Sequence, residues 1–185
     1  RLLGAEHPDT LSLRIHLLAS LTRQGRYVEA ETLARELLIV QERVYGLEHP
    51  HTLTTRYNLA VNVRGQGRYA ESEALQRELV VVQERVLGPE HPDTLATRGE
   101  LALSVFSQGR DADAEVLWRE LLPVQERVLG PEHPDTLSTR SNLALSVYSQ
   151  GRYVDAEVLW RELLAVRERV LGPEHPDTLS TRSNL

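Results

Sequence analysis

The 185-residue sequence contains no cysteine, no methionine and no lysine. Without cysteine it can form neither a disulfide framework nor a thiolate metal site, which fits a reducing compartment and makes a cytoplasmic location the expectation. Lacking methionine, the sequence is expected to be either part of a longer polypeptide or a processed chain. All 21 basic residues are arginine, a usage that points to a GC-rich genome such as that of an actinobacterium. They are outnumbered by 27 acidic residues, and the net charge of −6 argues against a surface that neutralises nucleic-acid phosphates. No apolar run approaches the roughly 18 residues that a membrane span requires, and no signal-peptide pattern is present, so no membrane partner is expected. Enzyme signatures are missing too. G-x-S-x-G and G-x-x-x-x-G-K-[ST] do not occur, and Gly65-Gln66-Gly67 falls at a turn between helices rather than after a strand. No catalytic residue and no cofactor is expected.

What the sequence has is a period. Glu-His-Pro begins at Glu6, Glu48, Glu90, Glu132 and Glu174, a spacing of 42 residues without exception. A fixed period of about 20–50 residues marks supersecondary units that bury a core only by stacking on one another. The expected organisation is a single array over 1–185, with repeats at about 7–48, 49–90, 91–132 and 133–174 and a partial repeat at 175–185. In the fourth repeat Pro134 suits the first position of a helix and Asp135 its positive end. Leu137, Leu143, Ala144 and Val147 then lie on one stripe, and Gly151 ends the pattern. A second stripe follows through Ala156, Leu159, Leu163, Val166 and Val170, until Gly172 and Pro173 stop it. Each repeat therefore reads as helix, tight turn, longer helix, short loop. No alternating β pattern occurs.

Asn142-Leu143-Ala144, Gly151-Arg152-Tyr153 and Ala156-Glu157 together resemble the tetratricopeptide repeat, with Leu and a small residue in the first helix, Gly and Tyr at the turn and Ala early in the second. The 42-residue form ending in R-V-L-G-P-E-H-P-D-T is similar to the repeats of kinesin light chains and of bacterial multi-domain signalling proteins. The resemblance covers the whole chain. It implies an all-α fold, a right-handed superhelical solenoid of antiparallel helix pairs. The usual aromatic early in the first helix is replaced by Arg14, Arg56, Arg98, Arg140 and Arg182, whose stems are expected to pack while the guanidinium groups reach polar partners.

Residues identical in every repeat must mainly serve stacking, so function is sought where the repeats differ. By the resemblance, the first-helix face beside the packing stripe lines a concave groove. That face carries Ile15, His16 and Arg23 in the first repeat, and Tyr57, Asn58, Arg64 and Gly65 in the second. It carries Glu100, Leu103 and Phe106 in the third, and Asn142, Leu145 and Tyr148 in the fourth. Polar and basic in its first half and apolar in its second, it suits a peptide with acidic residues at one end and a bulky apolar anchor at the other. The expected function is a protein-interaction scaffold binding a peptide or partner protein there; the alternative is a spacer, sensor arm or self-association array of a larger bacterial signalling protein. The two-carboxylate clamp of chaperone-binding relatives is excluded, because the matching positions are Ile15, Ala19, Asn58, Ala96 and Glu100, of which only Asn58 fits.

Other features call for bland readings. His7, His49, His91, His133 and His175 recur once per repeat, and layers about 8–10 Å apart cannot share a metal whose ligands sit about 2 Å away, so they are expected to cap or bond at the loop. Glu36, Glu78, Glu120 and Glu162, each preceded by Arg, read as solvated helix faces. Pro123 stands inside a second helix and predicts a bent but continuous one. Finally, Arg1-Leu2-Leu3-Gly4 aligns with Arg43-Val44-Tyr45-Gly46, and Ser183-Asn184-Leu185 stops partway through a first helix. Open apolar stripes at both ends predict end-to-end self-association.

Overall fold

The computed structural model describes Gly4 and residues 6–185; the alignment of Arg1, Leu2 and Leu3 with the end of a second helix lies outside the described residues. The chain divides into two compact units, Arg1–Pro89 and Glu90–Leu185. The first holds α1 (Pro8–Arg23), α2 (Tyr27–Val44), α3 (Pro50–Gly65) and α4 (Tyr69–Val86). The second holds α5 (Pro92–Phe106), α6 (Asp111–Val128), α7 (Pro134–Ser149), α8 (Tyr153–Leu171) and α9 (Pro176–Ser183). Among the described residues there is no strand. Odd-numbered helices are the first of each repeat and even-numbered ones the second.

Each first helix begins the same way. A histidine in extended conformation turns its ring back so that Nδ1 accepts the backbone N–H two residues on, at 3.2 Å in all five repeats, and proline follows at the first helical position. The histidines are thus N-caps, as expected of them, supplying the acceptor that Ser or Asp more often supplies. The turn to the second helix needs a left-handed residue, and Gly67 (φ 79°) provides it in the second repeat. There Arg68 N–H returns to the Val63 carbonyl, closing the end of α3 and launching α4 in the opposite direction.

Two stripes meet between the helices of a pair. In the first unit Leu18, Leu21, Ala30, Ala34, Leu59 and Val63 form the core; in the second, Leu101, Val105, Trp118, Leu143, Val147 and Trp160 do so, with alanines between them. The expected first-helix stripe is buried at Leu137, Leu143, Ala144 and Val147. The second-helix stripe needs a correction. Its deepest positions are Ala156, Trp160, Leu163 and Arg167, while Leu159 and Val166 are half-buried and Val170 is exposed. The physical reason is that the last buried position is polar, namely Gln41, Gln83, Gln125 and Arg167, and an apolar pattern cannot reveal a polar residue in the core. Arg167 is accommodated by donating to the Asp177 carbonyl and to Thr181 Oγ1 at 2.6 Å. Burial lowers its pKa from the ordinary arginine value, against the raising influence of Asp177.

Helix α6 runs unbroken through Pro123. Proline in a helix interior costs about 3 kcal/mol, partly through the freed carbonyl four residues back. Pro123 and Arg119 both lie on the exposed face, where water can satisfy that carbonyl. Pro123→Ala is therefore expected to stabilise the second unit by about 1–2 kcal/mol rather than the full amount. Equilibrium urea unfolding checks this, and an unchanged or lowered midpoint contradicts it.

Candidate functional site

The caps and turns fix how each first helix is rotated. At about 100° per residue, the buried positions Leu59, Ala60 and Val63 of α3 face the second helices, which leaves Thr54, Asn58, Val61 and Gly65 on the opposite side. Within the first unit α1 touches α3, and within the second α5 touches α7, so each unit presents its own pair of adjacent inner faces.

On the first unit's pair, His16 and Arg23 are exposed and Ile15, Tyr57, Asn58 and Arg64 are half-buried. Asn58 donates its amide to the Thr54 carbonyl at 2.9 Å, and the carbonyl of Asn58 accepts from the buried Asn62. Asn62 also donates to Thr22 Oγ1, tying α3 to α1 directly beneath this face. Gly65 has a packing reason rather than a binding one. A Cβ there would lie 2.7 Å from the Tyr27 ring, whereas the other repeats carry Arg23, Ser107 and Ser149 at this position.

The second unit's pair is more apolar. Glu100, Leu103, Phe106 and Asn142 are half-buried, while Leu145 and Tyr148 stay exposed. Phe106 lies against Trp118 with ring centroids 5.6 Å apart. Tyr148 rests on both Tyr153 (5.0 Å) and Trp160 (5.4 Å), so its ring continues the core outward. Leu145 is the exposed aliphatic side chain of this face, at 40% exposure.

Two ladders of charge hold the faces in place, and only one of them was expected. Four of the five arginines that replace the usual aromatic reach carboxylates, three of them in one way: Arg56 donates to Glu42 at 2.9 Å, Arg140 to Glu126 and Arg182 to Glu168. In the first repeat Arg14 turns instead to Glu36 of its own repeat, at 2.8 Å. The unforeseen ladder is the glutamate directly after the small residue early in each second helix. Glu31 accepts from Arg35 on its own helix and from Gln66 and Arg68 of the next repeat, and Glu115 accepts from Arg119, Gln150 and Arg152 in the same way. Burial alone would raise the Glu31 pKa, but the donated hydrogen bonds of Gln66, Arg35 and Arg68 outweigh it and bring the carboxyl down to about 2. For Glu115 burial again raises the pKa and the hydrogen bonds of Gln150, Arg119 and Arg152 outweigh it, so it too is lowered.

In the His49-x-His51 pair His49 stacks on Tyr45 and His51 lies tilted against both rings, and His49 Nδ1 is already engaged as the cap. Among the described residues no three His, Asp or Glu side chains gather in a way that could hold a metal ion. Likewise no described helix is long and apolar enough to cross a membrane.

The geometry can be compared with known proteins. Two crystal structures of a Podosopora anserina protein of kinesin-light-chain type, with nearly identical TPR-like repeats, are similar to this chain. One has a TM-score of 0.81 at 26% identity over 100% of this chain and 86% of that one. The other has 0.80 at 28% identity over 97% and 85%. BtubC (BKLC) from P. vanneervenii shares the fold, with a TM-score of 0.79 at 21% identity over 96% of this chain and 69% of its own. No curated protein sequence matches the chain. A sequence model described as the tetratricopeptide repeat matches residues 10–51, 52–93, 94–135 and 136–177, four consecutive segments each one period long. With repeat, helix pairing and turn chemistry in agreement, the chain belongs to the tetratricopeptide repeat family.

Proposed function

We propose that residues 1–185 act as one protein-interaction array whose first-helix inner faces bind an extended peptide or a partner segment. The supporting observation is the contrast between constant and variable positions. The third and fourth repeats differ at only eight of 42 positions (Leu87–Val128 against Leu129–Val170), and four of those, Ala96/Ser138, Gly99/Ser141, Glu100/Asn142 and Phe106/Tyr148, belong to the inner face. Half of the differences thus fall on one face of the first helices, and variation gathered there is what ligand selection would leave behind. Binding rather than catalysis is the activity such a face offers, with His16 and Arg23 favouring acidic groups and Leu103, Phe106, Leu145 and Tyr148 an apolar anchor.

Tyr148 is a poor probe, because removing it also disturbs Trp160. Leu145→Glu is better: it keeps helix propensity on an exposed site and should weaken any selected peptide at least about tenfold, with circular dichroism unchanged. Isothermal titration with the best sequence from a peptide library measures it. A variant that binds as tightly as the parent removes the second unit's inner face from the site. A library that yields no preferred sequence, together with a mass that rises with concentration in sedimentation, would favour the self-association or spacer reading. The exposure of Leu17, 51% against 5% for the equivalent Leu59, is the feature that reading would use.

A further inference from the structure

A second surface lies on the opposite side of the first helices. In the first unit a cleft of about 180 Å³ opens between α2 and α4, with Leu38, Leu59, Leu75 and Leu79 inside and Glu42, Arg56 and Glu78 around the mouth. In the second unit a cleft of about 110 Å³ opens between α6 and α8, lined by Leu122, Leu143, Leu159, Glu126, Arg140 and Glu162. Each of the six residues lining the second cleft stands two periods after one lining the first, which has Leu79 in addition.

The charges at each mouth do not balance. There are two carboxylates and one guanidinium, and the guanidinium is already committed to the carboxylate of the preceding repeat, Arg56 to Glu42 and Arg140 to Glu126. Glu78 and Glu162 are exposed and make no hydrogen bond or ion pair among the described residues. The first repeat shows that a cation in this place can reach such a glutamate. There Arg14 spans the 22 residues to Glu36, the same separation as Arg56 to Glu78 and Arg140 to Glu162, and closes an ion pair at 2.8 Å. Each cleft therefore has a carboxylate in a position that a cation satisfies elsewhere in the same molecule, beside a leucine floor suited to an aliphatic stem. In the second unit Arg140 Nε is buried without an acceptor, a donor that a peptide carbonyl entering the cleft would satisfy.

We propose that these outer clefts are docking sites for Arg or Lys side chains of a basic partner segment, each stem lying on the leucines and each head pairing with Glu78 or Glu162. Charge complementarity selects the occupant. A basic segment is attracted to a chain of net charge −6, whereas a second copy of the chain is repelled. The ligand chemistry is opposite to that of the inner faces, so an array could engage two partners at once.

The test uses the whole chain and a labelled peptide of alternating Arg and Leu, titrated by fluorescence anisotropy at low and physiological salt. Glu78→Gln with Glu162→Gln, nearly isosteric and exposed, should weaken binding about tenfold. Asp9→Asn with Glu174→Gln, an equal loss of charge away from the clefts, should change it less than about twofold. Leu145→Glu on the inner face should leave it unweakened, which separates this site from the proposed peptide face. Absence of binding by the parent chain, or equal losses in the two charge-matched doubles, overturns the proposal.

Discussion

Trp118→Ala is expected to destabilise the second unit by about 3–5 kcal/mol. The Trp118 side chain is 1% exposed, sits among Leu101, Val105, Leu143 and Val147, and presses its ring on Phe106. Truncating it removes the largest fully buried side chain, and the helices around it are held by their own caps and turns, so the space can collapse only in part. Against a total stability of about 5–15 kcal/mol for a domain, the loss is large enough to unfold the unit at modest urea concentrations. The equivalent position in the first repeat is Ala34, fully buried among Leu18, Leu21 and Leu59. Its presence shows that the slot can be closed by a small residue when neighbours are chosen for it, and that Trp118→Ala fails for want of those neighbours. Urea unfolding followed by circular dichroism, with Trp160 fluorescence as a second probe, measures the change. A loss below about 1 kcal/mol would mean that the core is far more plastic than close packing allows.

Much of the architecture was legible in the sequence because the signals were chemical and repeated. Pro at the first helical position and Gly at the turns each have one favoured backbone solution, and five registers pointed to it. The histidine caps were legible for a negative reason, since layer spacing forbade a shared metal and left only the loop to serve. The buried polar positions were not legible. Gln41, Gln83 and Gln125 look like surface residues in any hydrophobic pattern, and so the second-helix stripe was placed one residue away at Leu159 and Val166 rather than at Trp160 and Arg167. Gln76 shows the same blind spot, being fully buried without a hydrogen bond at the position where the later repeats carry Trp118 and Trp160.

The candidate sites divide along similar lines. The inner-face positions stand out as candidates because variation between repeats is visible in one sequence. Which of them pack was not, because Phe106 against Trp118 and Tyr148 against Trp160 are contacts between helices. The outer clefts were invisible for the converse reason. Their residues are constant, and constancy reads as stacking until the partners are counted and Glu78 and Glu162 are left over. The reading of these glutamates as solvated faces holds for their exposure, and the proposal of a cation site adds a role to it.

Glu31→Ala is expected to cost about 2–3 kcal/mol at neutral pH, and Glu115→Ala a similar amount. Each buried carboxylate joins an arginine of its own helix to a glutamine and an arginine of the next repeat, so its removal weakens the link between two layers, which in the first unit keeps the Arg35–Glu71 ion pair and the Asn62–Thr22 hydrogen bond. Hydrogen bonds to a buried charge contribute about 1.5–3 kcal/mol each, but Arg35, Arg68, Arg119 and Arg152 are roughly half exposed and recover part of the loss by hydration, which sets the total below the simple sum. Glu157 is the internal control. It occupies the same position, yet its side chain is 40% exposed and among the described residues pairs only with Arg161 four residues on, so Glu157→Ala should stay within about 0.5 kcal/mol. Acid should reproduce the effect. The Glu31 carboxyl is depressed from 4.5 to about 2 in the folded chain, so its contribution is complete above about pH 4.5 and fades as pH falls toward 2. The stability gap between the parent and Glu31→Ala, taken from urea midpoints at a series of pH values, should be constant from pH 7 to 5 and close below that. A gap that persists at pH 2, or a Glu157→Ala penalty as large as that of Glu31→Ala, would show that the side-chain stem matters and the inter-repeat carboxylate does not.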